Sequence, residues 1–459
     1  MPIELDNYLK NTWAVRKQVQ DQLKLTILAA GLGRRMDPIS THHLPKPMFP
    51  LGGTVPMAEI WVRRAVEAGI TNVSMNLCVL QETIRSHFKD GLLFGADINY
   101  IEEDRPSGTL GGVCKQALGT EAKQTLADEI MGSTAAFSGT TVIAPSGDIV
   151  TNFGVELLEQ MYEIHKRQGA AFTMLLAPIP WKRRKEFGTV ILGKSERSRG
   201  PLSESGPIID FIEKDPDSPS NLNNASVYFI EMELLEKLDP FRTAADPNVR
   251  EPFYDFGKHV FPAMLGKLAY FKPPKDYLLW GIRYDGLWYD VGRKRDYLSI
   301  NKSVLDNKIH LDLPYQKLPW GYLGSGTVIN FAEVTIIPPV IIGNECIIER
   351  GAKLGPYAII GDGWTIEKDV CISNSVLWKR YAYFTKQGEK ISVRERKLVD
   401  RHEVRQGSVI DECIIVGGTI TPGLYDSKAD RLFEKTVDVL ENGELQLVSI
   451  DWVPAGPRL

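Results

Sequence analysis

The stretch LTILAAGLGRRMDPISTHHLPKP, residues 25–47, joins an unbroken apolar run to a loop of glycines, prolines and cations. Leu25–Ala30 is short and meets glycine at once, so it predicts a buried strand opening into a loop. Gly31 and Gly33 carry no Cβ, which lets the backbone amides of this loop approach an anion closely. Arg35 and Lys46 add two cations to the same loop, and that combination suits a triphosphate and its departing pyrophosphate. On the glycines alone, an ordinary strand–loop–helix turn with surface cations is the better explanation of the stretch.

The chain around this loop alternates strand and helix signals. Ala58–Ala68 has helical spacing and stops at Gly69, and Thr71–Cys78 then alternates as a strand. Val142–Ala144, Ala171–Ala177 and Ala225–Ile230 read as further strands, with a helix over Val155–Arg167 between two of them. This alternation predicts an α/β domain over residues 23–310, a Rossmann-like mixed and mainly parallel sheet sandwiched by helices. Ligands in such sheets bind on the loops beyond the strand C-termini. A helical leader is expected over residues 1–22. A linker rich in proline, glycine and aromatics is expected over 311–325.

Beyond the linker a different period takes over. Small or apolar residues recur every six positions at Val328, Val334, Val340, Cys346, Ala352, Ala358, Trp364, Val370 and Val376. Ile or Leu follows two places after each of the middle seven. A hexad kept through so many anchors is the signature of a parallel β-helix, expected over residues 326–424. Each turn of such a coil has three faces, and the anchors stack inward as a one-dimensional core. The rhythm breaks over residues 379–406, where nine Lys/Arg face four Asp/Glu, and this segment reads as a basic insertion protruding from the coil. The rhythm resumes in Val409–Gly423. The tail, 425–459, resembles neither part and is expected to pack or cap.

Composition narrows the class. The chain has 459 residues, 43% of them apolar and 24% charged, with a formal charge of −4, so nothing pulls it towards nucleic acid. No apolar stretch is long enough to cross a bilayer, and the N-terminal residues lack the apolar core of a signal peptide. The five cysteines at 78, 114, 346, 371 and 413 form no close pair, which argues against a zinc site and a disulfide framework and fits a reducing cytoplasm.

The stretch Ala30–Pro47 resembles the signature loop of the sugar-1-phosphate nucleotidyltransferase (nucleotide-sugar pyrophosphorylase) family, G-x-G-T-R-x-x-P-x-T-x-x-x-P-K-P. Gly31, Gly33, Arg35, Pro38, Pro45, Lys46 and Pro47 fall in register, while Arg34 stands at the usual Thr. Further resemblances follow in the family's order. EEDRPSGTLGG at 102–112 is similar to the segment along the nucleotide base, and APSGDIV at 144–150 to the strand end that holds magnesium. Phe187–Gly188 resembles an aromatic–Gly pair that borders the sugar, and Phe211–Lys214 matches F-x-E-K. Asn224–Tyr228 resembles N-A-G-I-Y with Ser226 at the glycine, Asp255–Lys258 is a D-F-G-K taken as structural, and GLWYDVGRKRDYLSIN spans 286–301. The match covers about residues 24–305. A left-handed β-helix of hexapeptide repeats is a common companion of this family.

The resemblance implies that Arg35, Lys46 and Asp148 are catalytic. It implies nucleotide contacts from Ala30, Gly31, Gly33, Arg34, Glu102, Gly108 and Thr109, and sugar-phosphate contacts from Gly188, Glu213, Lys214 and Asn224. Mg²⁺ would sit on Asp148 and Asp290, Trp288 would be core, and His42 and His43 would be plain loop residues. Within the family, mannose-1-phosphate guanylyltransferase-like and glucose-1-phosphate thymidylyl- or uridylyltransferase-like members both fit, with a slight lean to the former. Partners implied are a nucleoside triphosphate, a sugar 1-phosphate and further copies of the chain through the coil, with no nucleic acid and no membrane span. Two alternatives stay open, a catalytically weak regulatory relative and a bifunctional enzyme whose coil is an acyltransferase.

Overall fold

The computed structural model describes residues 22–36, 39–42, 44–118, 140–239, 254–268, 277–379, 402–416, 418–420, 435–439 and 445–449. The chain divides into two compact units. One gathers residues 1–31, 61–79 and 85–288, and the other gathers 32–60, 80–84 and 289–459. This division by compactness cuts across the domain expected over residues 23–310, because residues 32–60 and those from 289 onward group together.

The first unit is built on a ten-stranded sheet. Strand β1 (Leu23–Ile27) lies between β2 (Asn72–Leu77) and β4 (Thr141–Pro145), parallel to both, and β3 (Asp97–Glu102) continues the parallel run beyond β2. The other half is largely antiparallel. β9 (Leu222–Glu231) runs against both β4 and β5 (Phe172–Pro178). β8 (Leu202–Glu213) runs against β6 (Gly188–Leu192), β7 (Glu196–Arg197) and β10 (Leu279–Tyr284). Of this half, only β5 and β10 pair in parallel. The expectation of a mainly parallel sheet is corrected to a mixed one in which antiparallel pairings outnumber parallel ones. Parallel neighbours need a long crossover, usually a helix, and the short links between β6, β7 and β8 leave no room for one.

The core of this unit is aromatic where the two halves meet. Phe172 packs its ring 5.2 Å from Tyr228, 5.4 Å from Phe256 and 5.1 Å from Phe261, between centroids. The pairs with Phe256 and Phe261 are edge-on, a geometry that adds to the burial of each ring. Helix α1 (Val155–Gln168) turns Leu158, Met161 and His165 inward and ends on Gly169 in the left-handed conformation, a common helix stop.

The second unit contains three ladders of short parallel strands. Partners lie 18 residues apart, as in Val340↔Ala358, Ile347↔Thr365 and Lys353↔Cys371. Three hexads per turn give that offset, so the arrangement fits a parallel β-helix. Val340, Cys346, Ala352, Ala358, Trp364 and Val370 are all fully buried, as the hexads predict. Val328 breaks the series and is 64% exposed. The first turn has an offset of 19, Val328↔Ile347, so the inward position slips to Thr327, whose hydroxyl accepts from the Cys346 amide at 3.1 Å.

The edges of the coil also move. Gly321–Leu323 already pairs in parallel with Val340–Ile342, so the parallel ladder begins inside the stretch read as a linker, where Leu311 and Tyr315 are buried. At the far end the coil resumes at His402–Val404, paired with Thr365 and Ile366, rather than at Val409. The basic insertion, read as running to residue 406, thus ends before His402. Residues 380–401 lie outside the described residues, as do the leader 1–21 and Pro38, His43 and most of the tail. Within the tail, Lys435–Val439 and Leu445–Ser449 pair antiparallel.

Candidate active site

In the first unit, β1 delivers the start of the glycine loop to the turn that carries Asp148. The Leu28 amide donates to Pro145 O at 3.0 Å, and the Gly147 amide donates to Leu28 O at 2.9 Å. Ala29, just before Ala30 and Gly31, donates its amide to Asn76 Oδ1 at 2.7 Å. Asp148 is oriented locally, since Ser146 Oγ donates to its Oδ1 at 2.6 Å.

The base segment follows β3 and carries a register correction. Glu102, expected to contact the nucleotide, lies at the surface in an ion pair with Arg85, with 64% of its side chain exposed. Glu103 takes the inward place. Its fully buried carboxylate accepts from Asn76 Nδ2 (2.7 Å), from the Ser107 amide (2.8 Å) and from Ser107 Oγ (2.6 Å). Strand side chains alternate faces, so a one-residue slip exchanges solvent for interior. The signal was legible, because E-x-x-P counted back from Pro106 falls on Glu103.

Gly108 and Thr109 begin the helix Gly108–Leu118 and are strapped by the D-F-G-K segment. Tyr254 N donates to Ser107 O, Leu110 N to Tyr254 O, both at 3.1 Å, and Phe256 N to Thr109 Oγ1 at 2.7 Å. Asp255 caps the turn Phe256–Val260 by accepting from the Gly257 and Lys258 amides. This turn is π-helical, a form frequent at functional sites.

Glu213 lies between two glycines. A Cβ on Gly188 would come within 2.8 Å of its Oε2, and one on Gly257 within 3.0 Å. At Gly188 the Phe211 ring is nearer still, and at Gly257 the carboxylate itself would have to give. Lys214 Nζ stands 3.2 Å from Glu213 Oε1. Asn224 accepts from the Ser226 amide at 3.0 Å and donates to Tyr228 OH at 2.9 Å. Ser226 has φ 55°, a left-handed conformation that explains why glycine suits that place in the resembled motif. Trp288, read as core, is only half-buried. It donates Nε1–H to Ala225 O at 3.0 Å and packs edge-on against Phe187 with centroids 5.5 Å apart.

In the second unit, Gly33 has φ 62°, and a Cβ there would stand 2.9 Å from the Lys46 stem, so glycine is required twice over. Ser40 Oγ donates to Gly33 O at 2.9 Å, closing the loop on itself. Lys46 is buried, whereas Arg34 and Arg35 stand exposed on the turn Arg34–Met36. The Arg35 guanidinium rests against Gly292, where a Cβ would meet it at 2.8–2.9 Å, and lies 3.8 Å from Asp290. The loop's continuation packs on the coil. Phe49 lies 5.0 Å from Trp378 and 5.8 Å from Tyr297 between centroids, and Lys379 Nζ donates to Thr54 Oγ1 at 3.1 Å.

No group of three or more His, Cys, Asp or Glu gathers as a metal cluster among the described residues, and no described helix is long and apolar enough to cross a membrane. Asp148 and Asp290 each offer hard carboxylate oxygens, the donor type that suits a divalent cation such as Mg²⁺. All five cysteines are free thiols.

Residues 24–307 match the sequence profile of a family described as Nucleotidyl transferase. The chain is 27% identical over 395 residues to UTP–glucose-1-phosphate uridylyltransferase of Synechocystis sp., covering 85% of this chain and 90% of that protein. It is 26% identical over 351 residues to mannose-1-phosphate guanylyltransferase of Mycobacterium tuberculosis, covering 75% and 82%. Over 429 residues it is 25% identical to glucose-1-phosphate adenylyltransferase of Acetivibrio thermocellus, covering 90% and 88%.

Proposed function

We infer that this chain, which belongs to the nucleotidyl transferase family, moves a nucleotidyl group from a nucleoside triphosphate onto a sugar 1-phosphate, giving a nucleotide-sugar and pyrophosphate. The observation that carries the reading is the set of polar groups held in order in the first unit: Asp148 on Ser146, Glu213 between two glycines, and Asn224 on Tyr228. The three relatives named above are all sugar-1-phosphate nucleotidyltransferases by name, and two of them take glucose 1-phosphate. A hexose 1-phosphate is therefore the acceptor we propose.

Transfer of this type needs alignment and charge neutralisation more than covalent help. An oxygen of the sugar phosphate attacks the α-phosphorus, the bond to the β-phosphate oxygen breaks, and pyrophosphate leaves in line. The nucleophile is already an anion, so no general base is assigned. We assign the β- and γ-phosphates to Arg35 and the neutralising charge at the α-phosphate to Lys46. Lys214 steers the sugar phosphate, while Glu213 and Asn224 take sugar hydroxyls. Ala30, Gly31, Gly33, Gly108 and Thr109 serve the nucleotide, with Glu103 shaping the base segment. Asp148 and Asp290 are assigned to Mg²⁺, which when bound supplies Lewis-acid polarisation of the phosphates.

We propose further that the coil is left-handed and that its exposed Val328 and Ile347, neighbours on one ladder, serve contact between copies of the chain. The acyltransferase alternative loses its base, because His402 is buried in the coil with its ring 4.7 Å from Trp364. The test of the reaction is the fate of label. With α-labelled triphosphate the label should enter the nucleotide-sugar, and with γ-labelled triphosphate it should leave as pyrophosphate. Label from the γ position on the sugar, or none moved, would defeat the reading.

A further inference from the structure

We propose that Ser146 is a positioning residue for the divalent cation, holding the Asp148 carboxylate in its binding orientation from a support built by β1 and β9. The inference rests on the metal role assigned to Asp148 above. Ser146 Oγ lies 2.6 Å from Asp148 Oδ1, a hydroxyl-to-carboxylate contact of the short, charge-assisted kind. A carboxylate that must meet a cation gains from such a partner, because the donor selects one rotamer and the cation then has less order to impose.

Ser146 itself is held from two sides. Its amide donates to Ser226 O at 2.9 Å, and its Cα pairs with Leu28 as an isolated bridge. The neighbouring Gly147 amide donates to Leu28 O at 2.9 Å. The carbonyl that receives the Ser146 amide belongs to the residue at φ 55°, where the chain departs from the glycine of the resembled motif. The left-handed residue of β9 and the end of β1 thus both support the turn Ser146–Asp148. Next to it, the Ser226 amide is tied to Asn224 Oδ1 at 3.0 Å, a residue proposed for the sugar. One backbone kink therefore serves a metal carboxylate on one side and a sugar ligand on the other.

The test compares wild type with Ser146→Ala, Ser146→Thr and Asp148→Asn in the full chain. Mn²⁺ binding is read by water-proton relaxation with UTP or GTP present, which separates protein-bound Mn²⁺ from Mn²⁺ on free nucleotide. Ser146→Ala should weaken Mn²⁺ about tenfold, and Ser146→Thr should recover most of that loss. In turnover, Ser146→Ala should need more Mg²⁺ for half-maximal rate yet approach the wild-type kcat at saturation. A purely structural hydroxyl would change thermal unfolding without moving the metal curve. Wild-type Mn²⁺ affinity in Ser146→Ala, beside lost affinity in Asp148→Asn, would overturn the role of Ser146. Unchanged affinity in Asp148→Asn would overturn the metal assignment itself.

Discussion

In the first unit, each polar group assigned to substrate has a partner in its own neighbourhood. Asp148 has a serine hydroxyl, Thr109 a backbone amide, Asn224 a tyrosine, and Glu213 a slot between glycines. In the second unit, Arg35 has 59% of its side chain exposed and leans on Asp290 at 3.8 Å. The difference follows the chemistry asked of each. A carboxylate that binds a cation or reads a hydroxyl must sit at hydrogen-bond distance with the right angle. A guanidinium that draws a triphosphate works through charge over a longer range and brings its own long stem. Lys46 is the intermediate case, a cation of the loop that is buried against Gly33.

Substitutions on the two sides should therefore fail differently. The largest loss is expected from Asp148→Ala, about 10³-fold or more in kcat, because a metal contact is worth several kcal/mol in such a transition state. Wild-type rates in that variant would break the comparison at its fixed end. Arg35→Ala should cost about 10²–10³-fold in kcat/KM, and Arg35→Lys should recover part of it, as expected for a group acting mainly by charge. Gly257→Ala should raise the KM for the sugar 1-phosphate about tenfold while leaving that for the triphosphate nearly unchanged, since the added methyl meets Glu213 Oε2 first, at 3.0 Å, ahead of Asp255 Oδ1 at 3.3 Å. Equal rises in both constants would mean that the strap, not the slot, had been disturbed.

The smallest effect on activity is expected at Lys24 on β1, whose Nζ donates to Gln116 O at 2.7 Å. Burial lowers its pKa from 10.5 to about 8. Below about pH 8 both native and unfolded states hold the proton, and the native state bears the full cost of a buried charge. Between about 8 and 10.5 the native state gives up a proton that the unfolded state keeps, so stability rises with pH there. Lys24→Met should thus stabilise the protein by about 1–3 kcal/mol at pH 7, with an advantage that shrinks by pH 10. Urea unfolding at the two pH values measures this, and turnover should be unchanged.

What could be read from the chain divides along the same line. The hexads predicted the buried positions from Val340 to Val370 almost residue for residue, because each answers to a local six-residue rule. The rule failed at Val328, where one extra residue in the first turn shifts the register, and a period cannot announce its own phase error. The parallel strands around β1 were legible from their apolar runs. The antiparallel half was not, because the direction of a buried strand depends on partners far off in sequence. At the site, the glycines and most of the carboxylates were legible as motifs, whereas Ser146 and the strap at Tyr254 act through contacts that no spacing encodes. Glu103 alone could have been found, by counting back from Pro106.

The central claim meets its most direct test in pyrophosphate release with Mg²⁺ across a matrix of substrates. GTP, UTP, dTTP, ATP and CTP would each be paired with the 1-phosphates of mannose, glucose, galactose and N-acetylglucosamine. We expect one pair, with a gluco- or manno-configured sugar, to stand clearly above the rest and to vanish in Asp148→Ala. A blank matrix from folded protein that still binds nucleotide would contradict the account and favour a regulatory relative of such enzymes.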